Sequence, residues 1–115
     1  MRITSSLWVD SLVRRCNALA VPVYVARRGA AEAGAIFVKV EHADRRIDLY
    51  GPAPQAMVAD PGSSERRFEL VLSQVDALEA ADYLAAQIRF DTDLWVLDID
   101  HRPDWPVDHL GMPPA

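Results

Sequence analysis

Residues 35–42 read AIFVKVEH. Ile36, Val38 and Val40 fall on one side of a period-two alternation, and Phe37, Lys39 and Glu41 on the other. Such an alternation of β-branched and aromatic residues marks a β-strand, here with one drier face. Upstream lies RGAAEAG, residues 28–34, with glycine near both ends, and before it VPVYVARR, residues 21–28, a second β-rich run. Downstream, a tight connection at ADRR leads into RIDLYG, residues 46–51. The three runs predict an antiparallel meander around AIFVKVEH, with RRGAAEAG as a plain hairpin loop.

Further out, the pattern changes period. In SSLWVDSLVRRCNALA, residues 5–20, Trp8, Val9, Leu12, Val13, Cys16, Leu19 and Ala20 recur at helical spacing. Ser5 or Ser6 can cap this helix, and Pro22 prevents its continuation. Residues 52–65, PAPQAMVADPGSSE, form a proline-broken loop. RRFELVLS, residues 66–73, predicts a strand with Phe68, Leu70 and Leu72 inward. Ser73 to Asp76 open a second helix with Leu78, Ala81, Leu84, Ala85 and Ile88 as its buried stripe. DLWVLDID, residues 93–100, is the last strand. The order α-β-β-β-β-α-β predicts an α+β fold: a mostly antiparallel sheet of four or five strands with two helices packed on it. The helix before the last strand could serve as a crossover joining parallel strands. A single domain over residues 1–102, followed by a proline-rich tail over 103–115, is the expected organisation.

Composition bounds the function. The chain has 115 residues, half of them hydrophobic, which is one ordinary domain. No apolar run reaches the roughly 18 residues of a membrane span, so no membrane role is expected. The N-terminus lacks the apolar core of a signal peptide. The single cysteine, Cys16, allows no intrachain disulfide, and a cytoplasmic location is the expectation. Net charge is −5, which makes nucleic acid an unlikely partner. Charge is unevenly spread: ten basic and seven acidic residues up to position 67, two basic and ten acidic beyond it. Eleven of the twelve basic residues are arginine, and eight of these form doublets: Arg14–Arg15, Arg27–Arg28, Arg45–Arg46 and Arg66–Arg67. Arginine forks onto carboxylate or phosphate. Pairing with the acidic second half is the plainer use of these doublets. Contact with an anionic ligand or a partner is the sharper one, with Arg27, Arg28, Arg66 and Arg67 as candidates.

Four segments, SSLWVDSLVRRC, RRGAAEAGAIFVKV, DLYGPAPQ and RFDTDLWVLDID, resemble in their order the bacterial family catalogued as domain of unknown function 1491. The resemblance covers about residues 3–102. The turn Ala43-Asp44-Arg45-Arg46 departs from it, since a glycine-containing turn is expected there. The resemblance implies a small cytoplasmic single-domain protein. It carries no activity, cofactor or catalytic residue to any position.

Asp98-x-Asp100 after an apolar strand looks like an aspartyl nucleophile motif of phosphatases. The following residues, His101-Arg102-Pro103, and the fifteen positions left after Asp100 do not fit it. Asp98 and Asp100 share a strand face and are weak candidates for a metal. Asp91 and Asp93 lie at the far end of the strand, so the four acids cannot form one site. An arginine doublet is a more natural partner for Asp98 and Asp100. His42, His101 and His109 read as surface histidines, and Cys16 as a small core residue. RRGAAEAG offers glycine and arginine to an anion, but lacks phosphate-loop spacing and leads into a strand. Trp8 and Trp95 belong to apolar faces. Trp105, between prolines 103 and 106, can anchor the tail on its own domain or a neighbour.

The leading expectation is a non-enzymatic binding module for a protein or a small anionic ligand, with no cofactor and with self-association through a sheet edge as a further option. The alternatives are a small enzyme acting on an anionic substrate and a weak RNA-binding module.

Overall fold

A computed structural model describes residues 3–53 and 66–100. The long loop at 54–65 and the tail with Trp105 lie outside the described residues. Seven elements follow in the expected order: α1 Ser5–Ala18, β1 Val23–Arg27, β2 Ile36–Glu41, β3 Ile47–Pro52, β4 Phe68–Val75, α2 Ala77–Phe90 and β5 Trp95–Asp100. The five strands form one sheet in the order β1-β5-β2-β3-β4.

β2 pairs antiparallel with β3, and β3 with β4. The meander, however, does not include β1. β5 inserts between β1 and β2, antiparallel to the first and parallel to the second. The 28–34 loop is therefore no hairpin loop but a span over the start of β5. The physical reason lies in β5 itself. Trp95, Val96, Leu97 and Ile99 are all buried, so both faces of this strand need cover and it takes an interior place. β4 and β5 both run parallel to β2, so α2 is a crossover between parallel strands, and the sheet is mixed.

The alternation in β2 and β5 divides two cores. Ile36, Val38, Val40, Trp95, Leu97 and Ile99 pack with Trp8, Val9, Leu12 and Cys16 of α1. Phe37, Leu94 and Val96 pack with Leu84 of α2, flanked by Tyr83 and Ile88. The helices thus cover opposite faces of the sheet. Phe68 meets Trp8 with ring centroids 5.3 Å apart.

Four local readings shift. Thr4, not Ser5 or Ser6, caps α1, accepting from the Leu7 N–H at 3.1 Å. Asp76 caps α2 and accepts from the Glu79 N–H at 2.8 Å, while Ser73–Val75 still belong to β4. The buried stripe of α2 keeps Leu84 but is otherwise rotated: Ala80 is buried, Ala81 and Ala85 are exposed, and Leu78 is 69% exposed. β4 also does not keep one face. It carries an extra residue between Leu70 and Leu72, so Leu70 packs on the α1 side and Leu72 on the α2 side.

Candidate functional site

Two of the four arginine doublets, Arg27–Arg28 and Arg66–Arg67, meet at the end of the sheet where β2 and β5 begin. The 28–34 loop is the centre of this end. Its backbone lies flush on the start of β5: the Ala30 N–H donates to the Asp93 carbonyl at 2.8 Å, and the Trp95 indole donates to the Ala30 carbonyl at 2.8 Å. Glycine is required for that approach. A Cβ at Gly29 would stand 2.1 Å from the Asp93 carbonyl oxygen, and one at Gly34 would stand 2.3 Å from the same atom. The loop also receives the start of α1. The Ser5 and Ser6 N–H groups donate to the Glu32 and Ala31 carbonyls, and the buried Ser5 hydroxyl donates to the Gly34 carbonyl at 2.6 Å. With Leu7 capped by Thr4, the first free N–H groups of α1 are satisfied within the fold. The helix start is therefore no anion cradle.

Around this loop stand three of the four candidate arginines. Arg27 donates from Nη2 to the Thr92 carbonyl at 2.9 Å and ties β1 to the turn before β5. Arg66 donates from Nη2 to the Ser5 hydroxyl at 2.9 Å. Arg28 lies over the Trp95 ring, 5.0 Å from its centroid. Arg27 and Arg66 are half-buried and spend donors on the scaffold, whereas Arg28 is exposed. Arg67 is exposed one residue beyond Arg66. Glu32, Asp91 and Asp93 are exposed at the same end, as is Phe90, at 91%. The structure thus brings Arg27, Arg28 and Arg66 to one place. It separates them from Asp98 and Asp100, which lie toward the other end of β5.

Asp98 has a different partner from the arginine the sequence led us to expect. It stands in register with Tyr24 on β1 and Lys39 on β2, and Lys39 Nζ lies 3.7 Å from its carboxylate. The only lysine in the chain therefore neutralises it. The Tyr24 hydroxyl bonds to Asp98, and this bond together with the charges of Asp98, Asp100 and Glu41 holds its pKa above the ordinary tyrosine value. Asp100 is exposed beside Glu41 on β2. Among the described residues no three ligating side chains are placed to hold a metal ion.

Sequence reasoning missed one constellation, at the opposite end of the sheet. Asp48 is 1% exposed, and its carboxylate lies 2.7 Å from His42 Nε2. Its second oxygen accepts from the Gln74 N–H at 2.9 Å and from the Gln74 side-chain amide at 3.3 Å. Gln74 sits at φ 55°, where β4 carries an extra residue opposite Asp48. A buried carboxylate that orients a half-exposed imidazole is a frame for proton transfer. Here, though, the carboxylate also holds a strand backbone in place, which gives it a structural duty. The signal in the sequence was His42 and Asp48 flanking a tight turn, six positions apart. Cys16 is buried, and burial pushes its thiol pKa up, which removes it as a nucleophile.

Solved structures with this fold exist. The chain is similar over its full length, and over 100% of the other chain, to the solution structure of protein Atu0922 from A. tumefaciens, at 41% identity and a TM-score of 0.82. It is similar to the crystal structure of a DUF1491 family protein from Caulobacter crescentus, at 28% identity and a TM-score of 0.71, with 89% of each chain covered. An NMR structure of a DUF1491 family protein from the same organism matches at 28% identity and the same TM-score, with 90% of this chain and 89% of that one covered. No curated protein matches. The model of the family described as protein of unknown function (DUF1491) matches residues 3–106, and the chain belongs to that family.

Proposed function

We propose that this protein is a binding module of the cytoplasm, not an enzyme, and that it meets a protein or a small anionic ligand at the end of the sheet where β2 and β5 begin. The observation that carries this reading is the convergence of arginines from two separate doublets, Arg27–Arg28 and Arg66–Arg67, on one loop. Two of them brace the scaffold and one faces outward. A surface so braced loses little conformational freedom on binding, which favours recognition. The same end carries Glu32, Asp91 and Asp93. Those carboxylates repel a polyanion, which speaks against RNA as the partner.

The test is an amide NMR titration of the isotopically labelled protein with sodium phosphate, sodium citrate and an acidic peptide, against sodium chloride at matched ionic strength. The expected result is saturable shifts confined to residues 5–6, 28–34, 66–67 and 91–95. Shifts gathered instead around His42, Asp48 and Gln74, or no shift beyond the chloride control, would overturn it.

A further inference from the structure

We infer that Arg28 is the ligand-taking group of this end, and that it takes a single forked oxyanion: one carboxylate or one phosphate, gripped by two parallel N–H donors. The inference rests on the binding-module reading and makes it specific. Three observations lead to it. First, Arg28 is held. Its guanidinium lies over Trp95, 5.0 Å from the ring centroid, and the indole is itself fixed by its bond to the Ala30 carbonyl. An arginine on an indole face has already lost much of its rotamer freedom, so less remains to be lost when a ligand arrives. Second, Arg28 is uncommitted. It is exposed, and among the described residues it forms no ion pair, although Glu32, Asp91 and Asp93 stand at the same end. Arg27 and Arg66, by contrast, each give a donor to the Thr92 carbonyl or the Ser5 hydroxyl. Third, those flanking acids limit the ligand. They tolerate one compact oxyanion seated on the arginine fork and disfavour a run of negative charges.

The geometry distinguishes a fork from a mere positive charge, because lysine supplies the charge without the planar pair of donors. The experiment uses the full chain with Trp8→Phe and Trp105→Phe, leaving Trp95 as the one tryptophan under Arg28. Emission is titrated with sodium phosphate and, separately, with sodium glutamate, each against sodium chloride at equal ionic strength. The parent should give a saturable change with at least one of the two, and the stronger arm identifies phosphate or carboxylate as the source. Arg28→Lys should weaken that binding at least about tenfold, and Arg28→Gln, planar but neutral, should abolish it, with the thermal midpoints of both variants showing that the domain is folded. Equal affinity in Arg28→Lys and the parent would overturn the fork while leaving the binding surface standing. If neither salt exceeds the chloride control, the fork is overturned. The amide titration then decides whether the wider surface falls with it.

Discussion

Asp48 is the residue whose removal should cost the most for its size. It is 1% exposed and accepts from three donors: His42 Nε2 at 2.7 Å, the Gln74 N–H at 2.9 Å and the Gln74 side-chain amide at 3.3 Å. Asp48→Ala leaves the first two without their acceptor. A hydrogen bond to a charged group contributes roughly 1.5–3 kcal/mol, and an abandoned donor is penalised on a similar scale. Counting the two short bonds and omitting the long one, the loss is about 3–6 kcal/mol. That is a large part of the roughly 5–15 kcal/mol by which a domain is stable. At about 4–8 °C per kcal/mol, the melting midpoint should fall by at least about 12 °C. Asp48→Asn keeps the volume and one acceptor but turns a donor toward either His42 or Gln74, so it should lose roughly half as much. The assay is urea unfolding followed by far-UV circular dichroism, with the slope m compared between variants. A double-mutant cycle with His42→Ala isolates the pair. A loss under about 1 kcal/mol for Asp48→Ala would refute the claim that this carboxylate holds the β3–β4 register. It would return the His42–Asp48 pair to consideration as a catalytic frame.

Two further outcomes follow from the packing and the buried ionisable groups. Leu84→Ala on the buried stripe of α2 should destabilise by about 2–5 kcal/mol, whereas Leu78→Ala, at a position 69% exposed, should stay within about 0.5 kcal/mol; equal effects in thermal unfolding would mean the helix is rotated from the orientation described. Burial raises the pKa of both the Cys16 thiol and the Tyr50 phenol. A raised folded-state pKa means the native state holds its proton longer than the unfolded chain does. Stability should therefore be intact below the unfolded thiol pKa of about 8.5 and decline as pH rises beyond it, with Tyr50 adding to the decline from about pH 10. Urea midpoints that are flat or rising between pH 8 and 10.5 would contradict this.

The elements were legible because each carries its period in its own residues. AIFVKVEH alternates, and SSLWVDSLVRRC recurs at helical spacing. What was not legible is what depends on a neighbour. β5 was assigned as a strand, but nothing in VPVYVARR or AIFVKVEH announces that a segment some sixty residues later will separate them. The clue was that Trp95–Ile99 is apolar on both faces, the mark of an interior strand. The phase of α2 was misplaced for a related reason. With Leu84 common to both, Leu78 and Ala81 complete a helical stripe as well as Ala80 does, and only the sheet beneath decides between them. The candidate site follows the same division. Arginines 27, 28 and 66 were visible as types. Their meeting around Gly29 and Gly34 depends on β5 lying where it does.

That topology also bears on where a partner can attach. A sheet offers its edges or its ends. The two edge strands here are β1 and β4. β1 is short, is preceded by Pro22, slips register between Val25 and Arg27, and finishes in the charged pair Arg27–Arg28. β4 slips register twice against β3. Bulges, proline and charge at an edge are the devices by which proteins discourage strand addition. Self-association through a sheet edge is thereby disfavoured on both sides. The end where β2 and β5 begin has the opposite character: the N–H groups of Ser5, Ser6, Ala30, Gly34 and Trp95 donate to neighbouring carbonyls, and the loop is locked by glycine contacts. Arg28 is fixed over an indole with its charge outward. Rigid support beneath a guanidinium that is exposed and, among the described residues, in no ion pair suits recognition of a single oxyanion and is not what strand addition uses, which favours the end of the sheet for the proposed contact.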